Sequence, residues 1–107
     1  MTEPRLTDVP APADCTSMTE VRVGVDAVDV QLVALLVRRF GYMDAAARIK
    51  ADRATVRDET RKAEVLANVA RHAGAAGLDP DRLTAVWDVL VEQSIAYELV
   101  RWDAQRG

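Results

Sequence analysis

From Ser17 to about Ala51 the chain offers one helical stretch longer than a small domain can hold within itself. It contains no proline. Only Gly24 and Gly41 oppose a helix, at about 1 kcal/mol each relative to alanine. Ser17-x-x-Glu20 reads as a capping box, in which the hydroxyl and the carboxylate each satisfy a free backbone N–H. Apolar residues then recur at Val21, Val25, Val28, Leu32, Leu35 and Leu36, and again at Met43 and Ala46, which is a helical stripe. A helix of some 34 residues spans about 50 Å at 1.5 Å per residue. A compact domain of 107 residues has a radius of gyration near 13 Å. Such a helix either breaks at Gly41 or finds a partner along its length. The reading preferred here is pairing with a second chain.

The rest of the chain reads as two shorter helices. Asp52 to Arg57 is polar, and Thr55 or Asp58 can cap a helix whose stripe is Ala63, Leu66, Val69, Ala70 and Ala73. Gly74 and Gly77 end it. Asp79-Pro80 opens a third helix, with proline in the first turn. Its stripe runs Leu83, Val86, Trp87, Leu90, Val91, Ile95, Leu99 and Trp102. Residues 1–15 carry three of the four prolines and no helical period, and read as a flexible arm before a helical domain over 16–107. No strand pattern, repeat or phosphate-binding glycine loop is present. The expected fold is all-α, with one long and two shorter helices.

Composition narrows the functional classes. Half the residues are apolar, so a core is available, and the net charge of −3 with no long basic run argues against a nucleic-acid partner. One cysteine, Cys15, and one histidine, His72, make neither an internal disulfide nor a zinc site, and both read as bystanders. No apolar run approaches the roughly 20 residues of a membrane span. The N-terminus lacks the apolar core of a signal peptide, so the expected location is the cytoplasm.

The informative residues are polar ones on apolar stripes. Arg39 lies four residues after Leu35 and four before Met43. Lys50 follows eleven residues later, which returns to within about 20° of the same direction, roughly 16 Å along the axis. Two long cationic side chains on one face can converge on a small anion. In the third helix Ser94 and Glu98 are one turn apart, on the face of Leu90, Val91 and Trp102. A charge buried without a partner is strongly unfavourable, so each group needs an internal partner or a ligand. The plain alternative is a structural Arg39–Glu98 ion pair, with Lys50 reaching out to solvent. Arg38 reads as a solvated surface residue.

The runs VRVGVDAVDVQLVALLVRRF, Lys50, VRDETRKAEVL and SIAYE, in this order and spacing, resemble the all-helical class of chorismate mutases over about residues 18–105. DCTSMTEVR, RRFGYMDAAARIKA and the Tyr97–Trp102 stretch are similar to a branch that includes isochorismate–pyruvate lyases. The resemblance implies an intertwined homodimer in which two long first helices cross and each active site uses both chains. Arg22 lies about 42 Å from Lys50 on a straight helix, so it serves the partner's site. Arg22 and Arg39 then hold the two carboxylates of a small dicarboxylate substrate, work suited to arginine. Lys50 donates to the ether oxygen that becomes negative as the C–O bond breaks. Asp58 lies near the ring hydroxyl through its backbone, and Arg61 and Ser94 help seat a carboxylate. Glu98 flanks the ether oxygen. The reaction is a unimolecular rearrangement of chorismate to prephenate. It needs no cofactor and no metal, only a held conformer and stabilised charge.

Two positions depart from that family. Many members carry glutamine where Glu98 stands. An ionised carboxylate only accepts hydrogen bonds, so Glu98 must be protonated to donate. Activity is therefore expected to fall as pH rises, and Glu98→Gln to flatten the profile. Bacterial mutases often carry glutamate, on the ring hydroxyl, where Lys62 stands, and lysine cannot accept that bond. Chorismate mutase is the leading expectation. Isochorismate–pyruvate lyase and amino-deoxychorismate mutase are the alternatives within the enzyme class. A dimeric helical scaffold or regulatory module is the non-enzyme alternative.

Overall fold

The computed structural model describes residues 5–107, and among these there is no β-strand. Three α-helices carry the fold: α1 (Met18–Ile49), α2 (Glu59–Ala75) and α3 (Pro80–Gln105). α1 is continuous over 32 residues, so Gly41 does not break it. The expected pattern of one long and two shorter helices holds. The chain divides into two compact units, residues 1–39 and 40–107.

In the first unit Ser17 opens α1 as the capping box demands. Its Oγ accepts the Glu20 N–H at 3.2 Å. Glu20 in turn accepts the Thr16 N–H at 3.0 Å and the Thr16 hydroxyl at 2.8 Å. These bonds, the Thr16 N–H first, hold the Glu20 carboxyl below its usual range. The segment before the cap forms two 3-10 turns, Leu6–Asp8 and Pro12–Asp14. A cavity of about 540 Å³ lies between this segment and α1, lined by Leu6, Val9, Pro10 and Cys15 on one side and Val21, Gly24, Val25 and Val28 on the other. Much of the α1 stripe is nevertheless open: Val25 is 52 %, Leu32 47 % and Leu35 64 % exposed.

The second unit is built on an antiparallel α2–α3 hairpin. Of the two expected caps, Asp58 is the one that opens α2, accepting the Arg61 N–H at 3.0 Å. Thr55 belongs to a 3-10 turn and donates its hydroxyl to the Asp52 carbonyl at 2.7 Å. α2 ends in a Schellman motif. The Leu78 N–H donates to the Ala73 carbonyl at 2.9 Å and the Gly77 N–H to the Gly74 carbonyl at 3.1 Å. Gly77 takes φ +84°, which only glycine adopts at little cost. Asp79 then caps α3 through the Asp81 N–H. The core is small: Val56, Val91 and Ile95, with Val65, Leu99 and Trp102 packed against them.

The last turns of α1 lie along α3 in parallel register. Phe40 meets Tyr97 edge-on, with ring centroids 5.1 Å apart. Asp44 accepts from the Tyr97 hydroxyl at 3.0 Å and from Arg101 at 2.8 Å. The Asp44 carboxylate holds the Tyr97 phenol above its usual range. Further on, Arg106 reaches the Ala47 carbonyl at 3.0 Å.

Candidate active site

Lys50 is the residue just past the end of α1, and its backbone N–H still donates to the Ala46 carbonyl at 2.9 Å. Its side chain does not reach out to solvent. Nζ lies 2.9 Å from Glu98 Oε2, with the lysine side chain 30 % and the glutamate 5 % exposed. Oε2 takes no well-aligned hydrogen bond, so this contact is an ion pair held by charge rather than by a directed N–H. A carboxylate this dry is retained only against a nearby positive charge. Pattern alone left Glu98 paired with Arg39 or held for a ligand. The structure puts Lys50 against it.

Ser94, one turn earlier on α3, is 3 % exposed and donates to the Leu90 carbonyl at 2.7 Å. Together with Glu98 it is the only buried polar residue among those described. The polar residues that sequence reasoning placed on the α3 core face are therefore the ones that the fold buries. Between Lys50 and α2, Asp52 caps the turn Arg53–Thr55 through the Ala54 N–H at 3.0 Å. Arg53 makes a two-pronged pair with Asp103, at 2.9 and 3.2 Å.

The other expected site residues divide between the two units. The Asp58 carboxylate caps α2, which leaves its backbone for any contact with a ligand. Arg61 is exposed and its guanidinium lies 3.4 Å from Glu64. Arg22 and Arg39 belong to the first unit, where Arg22 is exposed and Arg39 half-buried. Arg38 is exposed.

Lys62 is held on the α2–α3 seam, its Nζ 2.9 Å from both Asp88 and Glu92. Glu92 also takes both arms of Arg57, at 2.7 and 3.2 Å. Arg57 first and Lys62 second hold the Glu92 carboxyl down at about 2. Glu92, then Asp88, raise the Lys62 ammonium above its usual range. This network ties the loop before α2 to the middle of α3.

Sequence reasoning missed the groups that grip the backbone of Lys50. Its carbonyl accepts Trp102 Nε1–H at 3.0 Å and Arg106 Nη2–H at 2.6 Å. The guanidinium of Arg106 lies 4.0 Å from the centre of the Trp102 ring. The signal was available as spacing: Ser94, Glu98, Trp102 and Arg106 follow one another by four residues on α3. Among the described residues no group of three His, Cys, Asp or Glu is placed to hold a metal, and no helix is long and apolar enough to cross a membrane.

Comparison with known proteins places this geometry in context. The chain matches the family model described as chorismate mutase type II over residues 21–99. It is 33 % identical over 96 residues to a protein of Pseudomonas aeruginosa named isochorismate pyruvate lyase, covering 90 % of this chain and 95 % of that one.

Proposed function

Because the chain belongs to the chorismate mutase type II family, we propose that it is a cytoplasmic, cofactor-free chorismate mutase with a site completed by a second copy of itself. The observation that carries this reading is the Lys50–Glu98 pair, an ammonium and a nearly dry carboxylate 2.9 Å apart inside a helical unit. In chorismate the C–O bond to the ring breaks as a C–C bond forms, and negative charge grows on the ether oxygen. An ammonium already held against a nearly dry carboxylate is placed to stabilise that charge with little reorganisation. Arg39 and the partner's Arg22 hold the two carboxylates, with Ser94 and Arg61 helping to seat one of them. Asp58 supplies backbone contacts near the ring hydroxyl. Glu98 flanks the ether oxygen, and takes up a proton in the substrate complex, because an ionised carboxylate only accepts hydrogen bonds.

The dimer is part of the proposal, and the open face of α1 supports it. Val25, Leu32 and Leu35 form an apolar stripe that one chain leaves about half exposed or more. A second α1 crossing this stripe buries it on both chains.

A second reading, isochorismate–pyruvate lyase, is favoured by two observations. The Pseudomonas aeruginosa relative bears that name and matches nearly end to end. Lys62, where many mutases carry a ring-hydroxyl glutamate, spends its charge on Asp88 and Glu92. In this reaction the same C–O bond breaks and a ring hydrogen passes to the departing enolpyruvyl group, giving salicylate and pyruvate. Lys50 serves the same oxygen in both.

Incubation with chorismate and with isochorismate, assayed for prephenate, salicylate and pyruvate, tests both readings. Prephenate supports the first; salicylate with pyruvate supports the second. None of the three leaves amino-deoxychorismate as the substrate of this class. Titration with a bicyclic dicarboxylate resembling the transition state separates all of these from a scaffold. Saturable binding that Arg39→Ala abolishes is the expected result, and no binding in the unmodified protein would refute an enzyme of this kind.

A further inference from the structure

We infer that Trp102 and Arg106, at the end of α3, are positioning residues that hold Lys50 where its ammonium can act. The inference rests on the reading of Lys50 given above. Lys50 stands one residue beyond a helix end, where carbonyls have lost their intrahelical partners and the chain is free to fray. Its own carbonyl nevertheless has two donors, Trp102 Nε1–H at 3.0 Å and Arg106 Nη2–H at 2.6 Å. The other arm of Arg106 takes the Ala47 carbonyl at 3.0 Å, one turn earlier. A cation that bonds two carbonyls at a helix C-terminus also meets the negative end of the helix dipole. Arg106 is itself stacked on the Trp102 ring at 4.0 Å. Each of the two groups thus braces the other.

The arrangement defines Lys50 at both ends. Glu98 takes the side-chain ammonium at 2.9 Å, while Trp102, one turn further along α3, and Arg106, the residue that ends it, take the main chain. One rigid element therefore sets both the root of the side chain and the direction of its tip. A helix end leaves several carbonyls to be capped, and donors from any neighbouring element would serve; capping alone does not require them to come from the same helix as the residue pairing the side chain. Because Lys50 acts on a charge that exists only as the C–O bond breaks, its misplacement should be felt in kcat. A shift of about 1 Å is enough to cost on the order of a hundredfold.

Trp102→Phe removes the N–H and leaves a smaller aromatic ring; Arg106→Ala removes the bonds to the Ala47 and Lys50 carbonyls. Each is compared with Lys50→Ala, with the unmodified protein and by thermal melting, on chorismate and on isochorismate. The expected result is a kcat at least tenfold lower in both variants, KM within about twofold, and a melting temperature that falls but stays above that of the assay. Arg106→Lys should recover part of the loss. Millimolar guanidinium chloride should raise the kcat of Arg106→Ala but not that of Lys50→Ala. If Arg106→Ala fails to fold, Trp102→Phe carries the comparison alone. Parental kcat in Trp102→Phe beside an inactive Lys50→Ala overturns the positioning role and leaves Lys50 in place. A rise in KM with kcat unchanged overturns it too. Full activity in Lys50→Ala, or a parent that turns over neither these substrates nor amino-deoxychorismate, removes the reading of the site and the inference with it.

Discussion

Removing the charge of Lys50 should destabilise the protein far more than removing the charge of Glu98, although the two form one pair. The glutamate side chain is 5 % exposed and its Oε2 takes no well-aligned hydrogen bond, whereas the lysine side chain is 30 % exposed. At 2.9 Å and an effective dielectric of about 20, the attraction is worth roughly 6 kcal/mol before desolvation is subtracted. Lys50→Met strands the dry carboxylate, and a broken buried pair costs about 3–5 kcal/mol. Glu98→Met leaves an ammonium that water already reaches, so the loss should be nearer 1 kcal/mol. The double variant Lys50→Met, Glu98→Met replaces the pair with apolar groups. It should return to within about 1 kcal/mol of the parent or exceed it. The assay is urea unfolding at pH 7 and one fixed protomer concentration, because a dimer's stability depends on concentration. The cycle should thus show a large coupling between the two sites, and turnover should be absent from all three variants. If Lys50→Met costs no more than Glu98→Met, or if the double variant is as unstable as Lys50→Met, the reasoning from burial fails.

Other perturbations address separate parts of the molecule. Gly77→Ala places a Cβ at φ +84°, and chemical denaturation should show a loss of about 1 kcal/mol or more. Gly41 has open space around its missing Cβ, so Gly41→Ala should gain up to about 1 kcal/mol; a loss would mean that something packs there in solution. The Glu92 carboxyl is held at about 2 against 4.5 in an unfolded chain. The stability it supplies is complete above 4.5 and disappears as pH falls towards 2. Glu92→Gln should therefore flatten the melting temperature over that window, with an effect that shrinks in high salt, and an unchanged acid limb would count against the clasp. Leu35→Asp, on the open stripe of α1, should shift sedimentation towards the monomer and abolish turnover; an intact, active dimer would exclude this face as the interface.

Much of the helical architecture was written in local rules. The capping box at Ser17, the Asp79-Pro80 start and the glycine stop after α2 depend on neighbours within a few residues, so spacing was enough to find them. The helical period marked α1 as a single element, because two glycines in a long stripe cost less than breaking its hydrogen-bond ladder. The α3 pattern also marked Ser94 and Glu98 as polar groups on a core face, and the structure buries both.

What the sequence could not decide was which charge meets which across the fold. Pattern offered Arg39 as the structural partner of Glu98 and sent Lys50 to solvent, since periodicity gives the direction of a side chain but not its partner on another helix. Tertiary packing brought the end of α1 beside α3 and set Lys50 against Glu98. It also drew Lys62 to Asp88 and Glu92. The grip of Trp102 and Arg106 on a backbone carbonyl was equally hidden, because every residue has a carbonyl and nothing in its identity marks which one will be claimed. Helices follow from contacts a turn apart, and the sequence carries those directly. The site follows from contacts about fifty residues apart, and only the packed chain selects among them.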